Sequence, residues 1–169
     1  MRHVAWAALL VLAALAGSVL AQANTSIVAG QHVAGVRLGG SANDAISAFG
    51  NLYNQAESRS GKYTLYEWPL RPFVVIAEKE SGRIVLCVIV LSDTYRTDRG
   101  NLAGGSERAA VEAAYGTEFT TEEDESSVTM IYDAQGIAFD IGKRGAMSGR
   151  VLQIVVFVPG QWKAITGGL

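Results

Sequence analysis

Cysteine is almost absent from this sequence. The 169 residues include one cysteine, Cys87, so no disulfide can form within the chain. A chain of about 150 residues buries roughly 70% of the surface that its unfolded state exposes, so a hydrophobic core alone can hold it together. Because Cys87 lies inside the apolar run Ile84–Val90, we predict a buried hydrophobic side chain there and not a reactive thiol.

A strong charge of either sign is also missing. The formal net charge is -2 at pH 7, and 18% of the residues are charged while 49% are hydrophobic. Proteins that bind nucleic acid present a concentrated positive surface to the phosphates, and this balance predicts no nucleic-acid partner. The same composition is typical of a globular chain and excludes a disordered one.

Histidine is scarce, and the residue types of catalytic and metal sites are not grouped. Beyond the first residues the chain has one histidine, His32, which we predict to be a surface or strand residue. No Cys/His pair has zinc-ligand spacing, and no glycine loop carries the lysine of a phosphate site. The acidic stretch Glu122–Glu125 lacks the alternating oxygens and the glycine of a calcium loop, so we predict a solvated loop. The sequence thus predicts no catalytic, cofactor-binding or metal-binding residues, and no cofactor.

One long hydrophobic run is present, at the start of the chain. Arg2 and His3 precede an apolar stretch over residues 4–16, and small residues then allow signal peptidase to cleave after Ala21 or Ala23. We predict that residues 1–23 are a signal peptide, the alternative being a retained membrane anchor. The expected product is exported, periplasmic or extracellular, and has no stable membrane span after cleavage.

What the sequence does contain is a repeated pattern. Glycines precede Ser41, which starts a short apolar-striped segment that Gly50 ends; the same order recurs from Ser106 to Gly116. A serine at the N-cap and a glycine after the last turn are typical helix boundaries. Correspondence over several elements indicates tandem repeats. We predict that residues 24–96 form repeat unit 1.

Residues 97–169 are the predicted repeat unit 2. In each unit three alternating or wholly apolar segments follow the helix, as expected for strands. These segments are Tyr63–Trp68, Phe73–Ala77 and Ile84–Val90, then Ser127–Tyr132, Ile137–Ile141 and Val151–Phe157. The predicted fold class is α+β: two tandem repeats, each a short helix followed by a three-stranded antiparallel meander, with the helices packed on one sheet face.

This order resembles the repeat unit of the β-lactamase inhibitory protein fold, and it is similar to the small outer-membrane assembly lipoproteins that carry one such unit. The resemblance depends on Gly40, Ser41, Phe49, Gly50 and Gly82-Arg83-Ile84, and on Gly105, Ser106, Tyr115, Gly116 and Gly149-Arg150-Val151. It implies an exported domain without enzymatic activity that offers a sheet surface to a protein partner, which it does not identify.

An aromatic cluster is the candidate partner-binding surface. Tyr63, Tyr66 and Trp68 belong to one predicted strand, and alternation places Tyr66 and Trp68 on the same face. Aromatic side chains contribute most of the binding energy of many protein interfaces. The alternative is that Trp68 packs inside the protein, against the other unit or under Phe73.

The function predicted from the sequence is that of an exported protein-binding module, with enzyme inhibition and cell-envelope assembly as the two roles considered. One alternative is a carboxylate-dependent hydrolase that uses Asp140 or Glu67 as acid or base. The other is a carrier that holds a small ligand between the two repeats.

Overall fold

The chain folds mainly as β-structure. The computed structural model describes residues 24–169, which form an eight-stranded sheet, a four-stranded sheet and three short helices. The elements are β1 Ser26–Val28, β2 His32–Val33, β3 Val36–Arg37, α1 Ala42–Phe49, β4 Asn54–Glu57, β5 Tyr63–Trp68, β6 Phe73–Glu78, β7 Ile84–Val90, β8 Arg96–Thr97, α2 Arg108–Tyr115, β9 Thr120–Glu123, β10 Ser127–Tyr132, β11 Ile137–Gly142, β12 Val151–Phe157 and α3 Trp162–Thr166.

The large sheet has the order β4-β5-β6-β7-β12-β11-β10-β9, with every pair antiparallel. We call α1 with β4–β7 the first half and α2 with β9–β12 the second half. The two halves join through β7 and β12, where Val88 lies opposite Val155. Apart from Gln153, both strands are apolar on both faces, as expected for strands covered from two sides.

Hydrophobic side chains fill both faces of this sheet. One face carries α1, α2 and the small sheet, and the buried Phe73, Phe139 and Val111 belong to that larger core. The opposite face carries α3, where Trp162 and Ile165 pack over the centre of the sheet. Cys87 is fully buried in the larger core, as predicted, and burial raises the pKa of its thiol to about 12.

The small sheet has the order β3-β2-β1-β8. Its strands have two or three residues each, and β1 pairs with β8 in parallel. The side chains of Ile27, Val33 and Val36 are buried against the larger core, which fixes this sheet on the helix side. His32 lies in β2, in agreement with its prediction as a strand residue.

The two halves make the same main-chain hydrogen bonds at corresponding places. The N–H of Gly39 donates to the carbonyl of Ile84 at 2.7 Å, and the N–H of Gly105 donates to that of Val151 at 2.8 Å. Each bond ties the segment before a helix to the last strand of its half. The helices therefore start from the same place on each half of the sheet.

By this correspondence, the residue of the second half that is equivalent to Ser41 is Glu107 and not Ser106. Ser41 forms a β-bridge with Arg83, and Glu107 forms one with Arg150. The prediction that Ser41 caps its helix is confirmed, whereas the prediction of Ser106 as an N-cap is wrong. The hydroxyl of Ser106 instead accepts a hydrogen bond inside the preceding loop, so it is turned away from the helix.

The predicted fold class, α+β with one helix and a three-stranded meander in each of two units, is wrong. Six predicted strands lie where they were expected, but each half has four strands, and all eight form one sheet in a mostly β protein. The prediction missed β4 and β9 because these edge strands, NQAE and TTEE, lack the apolar alternation that reveals a strand. Glu122 and Glu123 belong to β9, so the acidic stretch is not simply a loop.

The predicted signal peptide, residues 1–23, lies outside the described residues. Within residues 24–169, none of the helices has the length and apolar character needed to cross a bilayer. The predicted boundary between repeat units, after residue 96, falls inside β8.

Candidate functional site

A groove with a largely apolar lining lies at one end of the first half, where α1 ends and β5 turns into β6. The groove has a volume of about 660 Å³, within the size range of ligand and peptide pockets. We call it the Leu70 groove, and its lining residues are Phe49, Gly50, Asn51, Leu52, Trp68, Leu70, Arg71, Pro72, Ser92, Thr94 and Tyr95.

Aromatic rings form the floor of the Leu70 groove. The Phe49 ring meets the Trp68 ring edge-on at 5.3 Å between centroids and lies 4.5 Å from the Phe73 ring. Trp68 Nε1 donates a 2.8 Å hydrogen bond to the carbonyl of Gly50, the residue that ends α1. A buried indole needs such a partner, and the bond fixes the ring under the end of the helix.

Gly50 makes this arrangement possible. Its backbone has φ 92° and ψ 173°, a combination that glycine alone adopts without strain. The prediction that Gly50 ends the helix is therefore confirmed. In this conformation the carbonyl of Gly50 points at the indole N–H of Trp68.

The rim of the groove exposes large apolar side chains. Leu52 is 74% exposed and Leu70 is 83% exposed. Leu91, next to the lining residue Ser92, is 58% exposed. Single exposed leucines are ordinary on protein surfaces, whereas several exposed leucines around one groove are a feature that interaction surfaces often have.

Arg71 is the charged member among the described residues that line the groove. Its guanidinium carbon lies 5.8 Å from the centroid of the Phe49 ring. Within residues 24–169 no carboxylate forms an ion pair with Arg71, and residues 1–23 contain no aspartate or glutamate. The groove therefore offers one positive charge to whatever enters it.

The turn that builds the rim provides hydrogen-bond acceptors but few donors. Pro69 and Pro72 have no N–H, and the N–H of Arg71 is used by the carbonyl of Trp68. The carbonyl of Pro72 accepts from the N–H of Val90 at 3.1 Å, and no second donor reaches it from residues 24–169. A carbonyl can accept two hydrogen bonds, so one position remains open.

The matching carbonyl of the second half is doubly occupied. Gly136 O accepts from the N–H of Phe157 at 3.0 Å, as Pro72 O does from Val90, and also from the N–H of Gly30 at 3.1 Å. The turn between β1 and β2 thus covers this end of the second half. The first half has no such cover from the described part of the chain.

The three residues predicted as a partner-binding surface do not share one exposed face. Trp68 is 2% exposed and forms part of the groove floor. Tyr66, on the same face, is half-buried beside Tyr53 at 5.5 Å, and burial together with Tyr53 raises its pKa. Tyr63 packs on the opposite face, where α3 lies.

Tyr63 lines a second cavity, of about 440 Å³, between α3 and the strands of the first half. Glu78 and Arg83 also line it and form an ion pair of 2.8 Å. Hydrogen bonds from Arg83 and Ser81 hold the pKa of Glu78 below its ordinary value. The carboxylate is therefore ionised and already paired, which leaves it poorly suited to proton transfer at neutral pH.

The two carboxylates considered for hydrolysis lie far apart. Glu67 is in β5 and Asp140 in β11, with β6, β7 and β12 between them. Four interstrand spacings of about 4.8 Å separate them by about 19 Å. Paired carboxylates in glycoside hydrolysis stand about 5 to 10 Å apart, so these two do not form such a pair.

Sequence reasoning missed Leu52, Leu70 and Arg71. The available signal was the segment Trp68-Pro69-Leu70-Arg71-Pro72, in which two prolines confine a leucine to a turn. A leucine in a turn of this kind has no place in a sheet core. The pattern could have suggested an exposed apolar side chain, but not the groove beside it.

No family model matches this chain, and no curated protein matches it in sequence. Among solved structures, the chain is similar to a cysteine-rich secretory protein from Staphylococcus aureus subsp. aureus Mu50, with a TM-score of 0.45 and 14% identity. The similarity covers 71% of this chain and 44% of the staphylococcal one. The predicted resemblance to the β-lactamase inhibitory protein fold and the assembly lipoproteins is wrong, and the distant likeness found in its place assigns neither family nor function.

Proposed function

We propose that this chain is a protein-binding domain and that its partner docks on the Leu70 groove. The observation that carries the proposal is the exposure of Leu52 and Leu70, 74% and 83%, beside a groove with an aromatic floor. Interfaces are commonly centred on apolar and aromatic side chains that pack into such a depression.

The buried surroundings of the groove support this assignment. Phe49 and Trp68 are 9% and 2% exposed, so the floor is well packed in the chain without a partner. A preformed site loses little conformational entropy on binding. Fully burying a leucine side chain contributes about 2 kcal/mol, so the two rim leucines can supply a large part of the affinity of a modest interface.

We also propose that the partner is met outside the cytoplasm. The support is the predicted signal peptide over residues 1–23, which has a basic start, an apolar stretch and small residues at the expected cleavage site. Envelope proteins of the producing cell are accordingly the first candidates for the partner.

The test is differential capture with matched variants. The rim variant, Leu52→Ser with Leu70→Ser, replaces the two most exposed leucines of the rim. The control, Glu118→Ser with Ala134→Ser, changes the matching positions of the second half. All four positions lie outside the buried core, so we expect each variant to change the free energy of unfolding, measured with urea, by about 0.5 kcal/mol or less.

Proteins captured from the envelope are identified by mass spectrometry, and the best candidate is then purified and titrated calorimetrically. We expect the rim variant to weaken the purified interaction by at least tenfold while the control binds as the unmodified chain does. Equal binding by the two variants would remove the groove as the docking surface.

A further inference from the structure

The chemistry of the Leu70 groove also restricts what its partner presents, an inference that rests on the proposed function. Three features of the groove matter for binding. Its rim is apolar, Arg71 gives it a positive charge, and the carbonyl of Pro72 can accept one more hydrogen bond while Pro72 has no N–H to donate. An occupant has to complement all three at once.

The chain's own second half shows how such a place is covered. There the turn between β1 and β2 lies over the corresponding carbonyl, to which Gly30 donates its main-chain N–H at 3.1 Å. Ala29, beside that glycine, packs its methyl group against the larger core. In the second half, this end of the sheet is thus covered by a main-chain N–H that donates to the carbonyl and by an apolar side chain next to it.

The first half adds a charge to the same combination. Arg71 stacks over the Phe49 ring and has no carboxylate partner within residues 24–169. An arginine held against an aromatic ring is a good receptor for a carboxylate, because its planar fork binds both oxygens. A basic occupant would meet like charge with no acidic lining residue to offset it.

We infer that the Leu70 groove binds a short extended segment of a protein partner in which an apolar residue stands two positions from an acidic one, because alternate side chains of an extended chain share a face. The segment's main-chain N–H donates to Pro72 O, its apolar side chain lies between Leu52 and Leu70, and its carboxylate pairs with Arg71. Recognition by main-chain bonds with alternating side-chain pockets is a common mode of peptide binding.

The probe is a phage-displayed library of random 12-residue peptides, selected on the purified chain. The variant Arg71→Glu reverses the charge in the groove, and Arg144→Glu makes the same change of net charge at an exposed arginine of the second half. The rim variant Leu52→Ser with Leu70→Ser is selected in parallel.

We expect the unmodified chain and Arg144→Glu to select peptides that pair an apolar with an acidic residue. Such a peptide, made synthetically, should bind Arg71→Glu at least tenfold more weakly in fluorescence polarisation. Its lysine counterpart should recover affinity for that variant.

Two other outcomes are distinguishable. Peptides without an acidic residue that still need Leu52 and Leu70 would overturn the inference about the partner and leave the docking surface intact. Peptides that bind the rim variant undiminished, or no selection of any peptide, would overturn the groove as a peptide site.

Discussion

The two halves of the large sheet share their hydrogen bonds but differ in what lies over the turn between their second and third strands. In the second half Gly136 allows the turn at Gly30 to approach; a Cβ at residue 136 would lie 2.7 Å from Gly30 Cα. In the first half Pro72 occupies the matching position, and the groove stays open. Exposure of the groove therefore follows from the absence of a covering turn at Pro72 within residues 24–169, and not from the hydrogen-bond pattern that the two halves share.

The halves also differ in how they close the hairpin between their first two strands. In the first half the N–H of Tyr63 donates to the Ser58 hydroxyl at 3.1 Å. In the second half the N–H of Ser127 donates to the Asp124 carboxylate at 2.8 Å. The two turns differ in length, since Ser58 and Tyr63 are five positions apart and Asp124 and Ser127 are three. One is held by a neutral side chain and the other by an ionised one, which makes the stability of the second hairpin sensitive to pH.

We expect the largest effect from a side chain placed at Gly136, where the main chain of Gly30 and Phe157 comes close. Gly136 and Gly61 both have φ +70°, but a Cβ at Gly136 would lie 2.4 Å from Phe157 O, whereas nothing lies within 4 Å at Gly61. We expect Gly61→Ala to cost about 1 kcal/mol for backbone strain and Gly136→Ala about 3 kcal/mol. Urea unfolding measures both. Similar costs would mean that the covering turn yields easily, and that the two halves differ less than the structure indicates.

The next effect concerns two tyrosines of the second half. Tyr132 Oη donates to Gly116 O at 2.9 Å, just as Trp68 donates to Gly50 O, while Tyr115 Oη is buried without a partner in residues 24–169. Tyr132→Phe should cost about 1 kcal/mol, and Tyr115→Phe should be neutral or stabilising. Thermal and urea unfolding of the two variants decide this. A costly Tyr115→Phe would indicate a hydrogen bond at that hydroxyl.

An effect of similar size separates the two helix starts. Ser41 Oγ accepts from the N–H of Asn43 at 3.2 Å, and the Asp44 carboxylate accepts from the N–H of Ser41 at 3.0 Å. The matching residue of α2, Glu107, makes no such bond with its side chain. Ser41→Ala should cost about 1 kcal/mol and Glu107→Ala at most a few tenths. If both substitutions had equal effects on the free energy of unfolding, the capping box would not be what stabilises α1.

The smallest expected effect is a titration. The N–H of Ser126, with its hydroxyl, and the N–H of Ser127 lower the pKa of Asp124 to about 2, against about 3.9 in an unfolded chain. Because the folded-state pKa is depressed, the stabilisation is present above about pH 4 and is lost as the pH falls through about 2. NMR of the carboxyl carbon should show this pKa.

The matched control is Asp124→Ser, which gives the second half the residue type found at Ser58. Its stability should depend less on pH between about pH 4 and 2 than that of the unmodified chain. An Asp124 pKa near 3.9, or an unchanged pH dependence in the variant, would contradict the difference between the hairpins.

The large strands of this protein were predictable because their signal is local. The apolar runs Ile84–Val90 and Val151–Phe157 coincide with β7 and β12, and Gly50 and Gly116 end their helices as expected. The position of α2 was harder, because Ser106 satisfies the sequence pattern of an N-cap while its hydroxyl bonds to the preceding loop.

The candidate site was only partly predictable. Trp68 was singled out for its aromatic side chain, but the sequence could not show that it forms the floor of a groove with Leu70 on the rim. Tyr63 and Tyr66 lie on opposite faces of the sheet, as alternation predicts. Tyr63 is covered on the α3 side and Tyr66 is covered by Tyr53, and neither neighbour belongs to β5.

By itself the sequence determined where the main strands and helices form, because periodicity, caps and glycines act over a few residues. The tertiary structure alone decided that eight strands share one sheet, that the β1–β2 turn covers one end, and that the opposite end remains open. These features depend on contacts between residues up to about a hundred positions apart, such as Gly30 with Gly136, and no local pattern records which distant segment will arrive there.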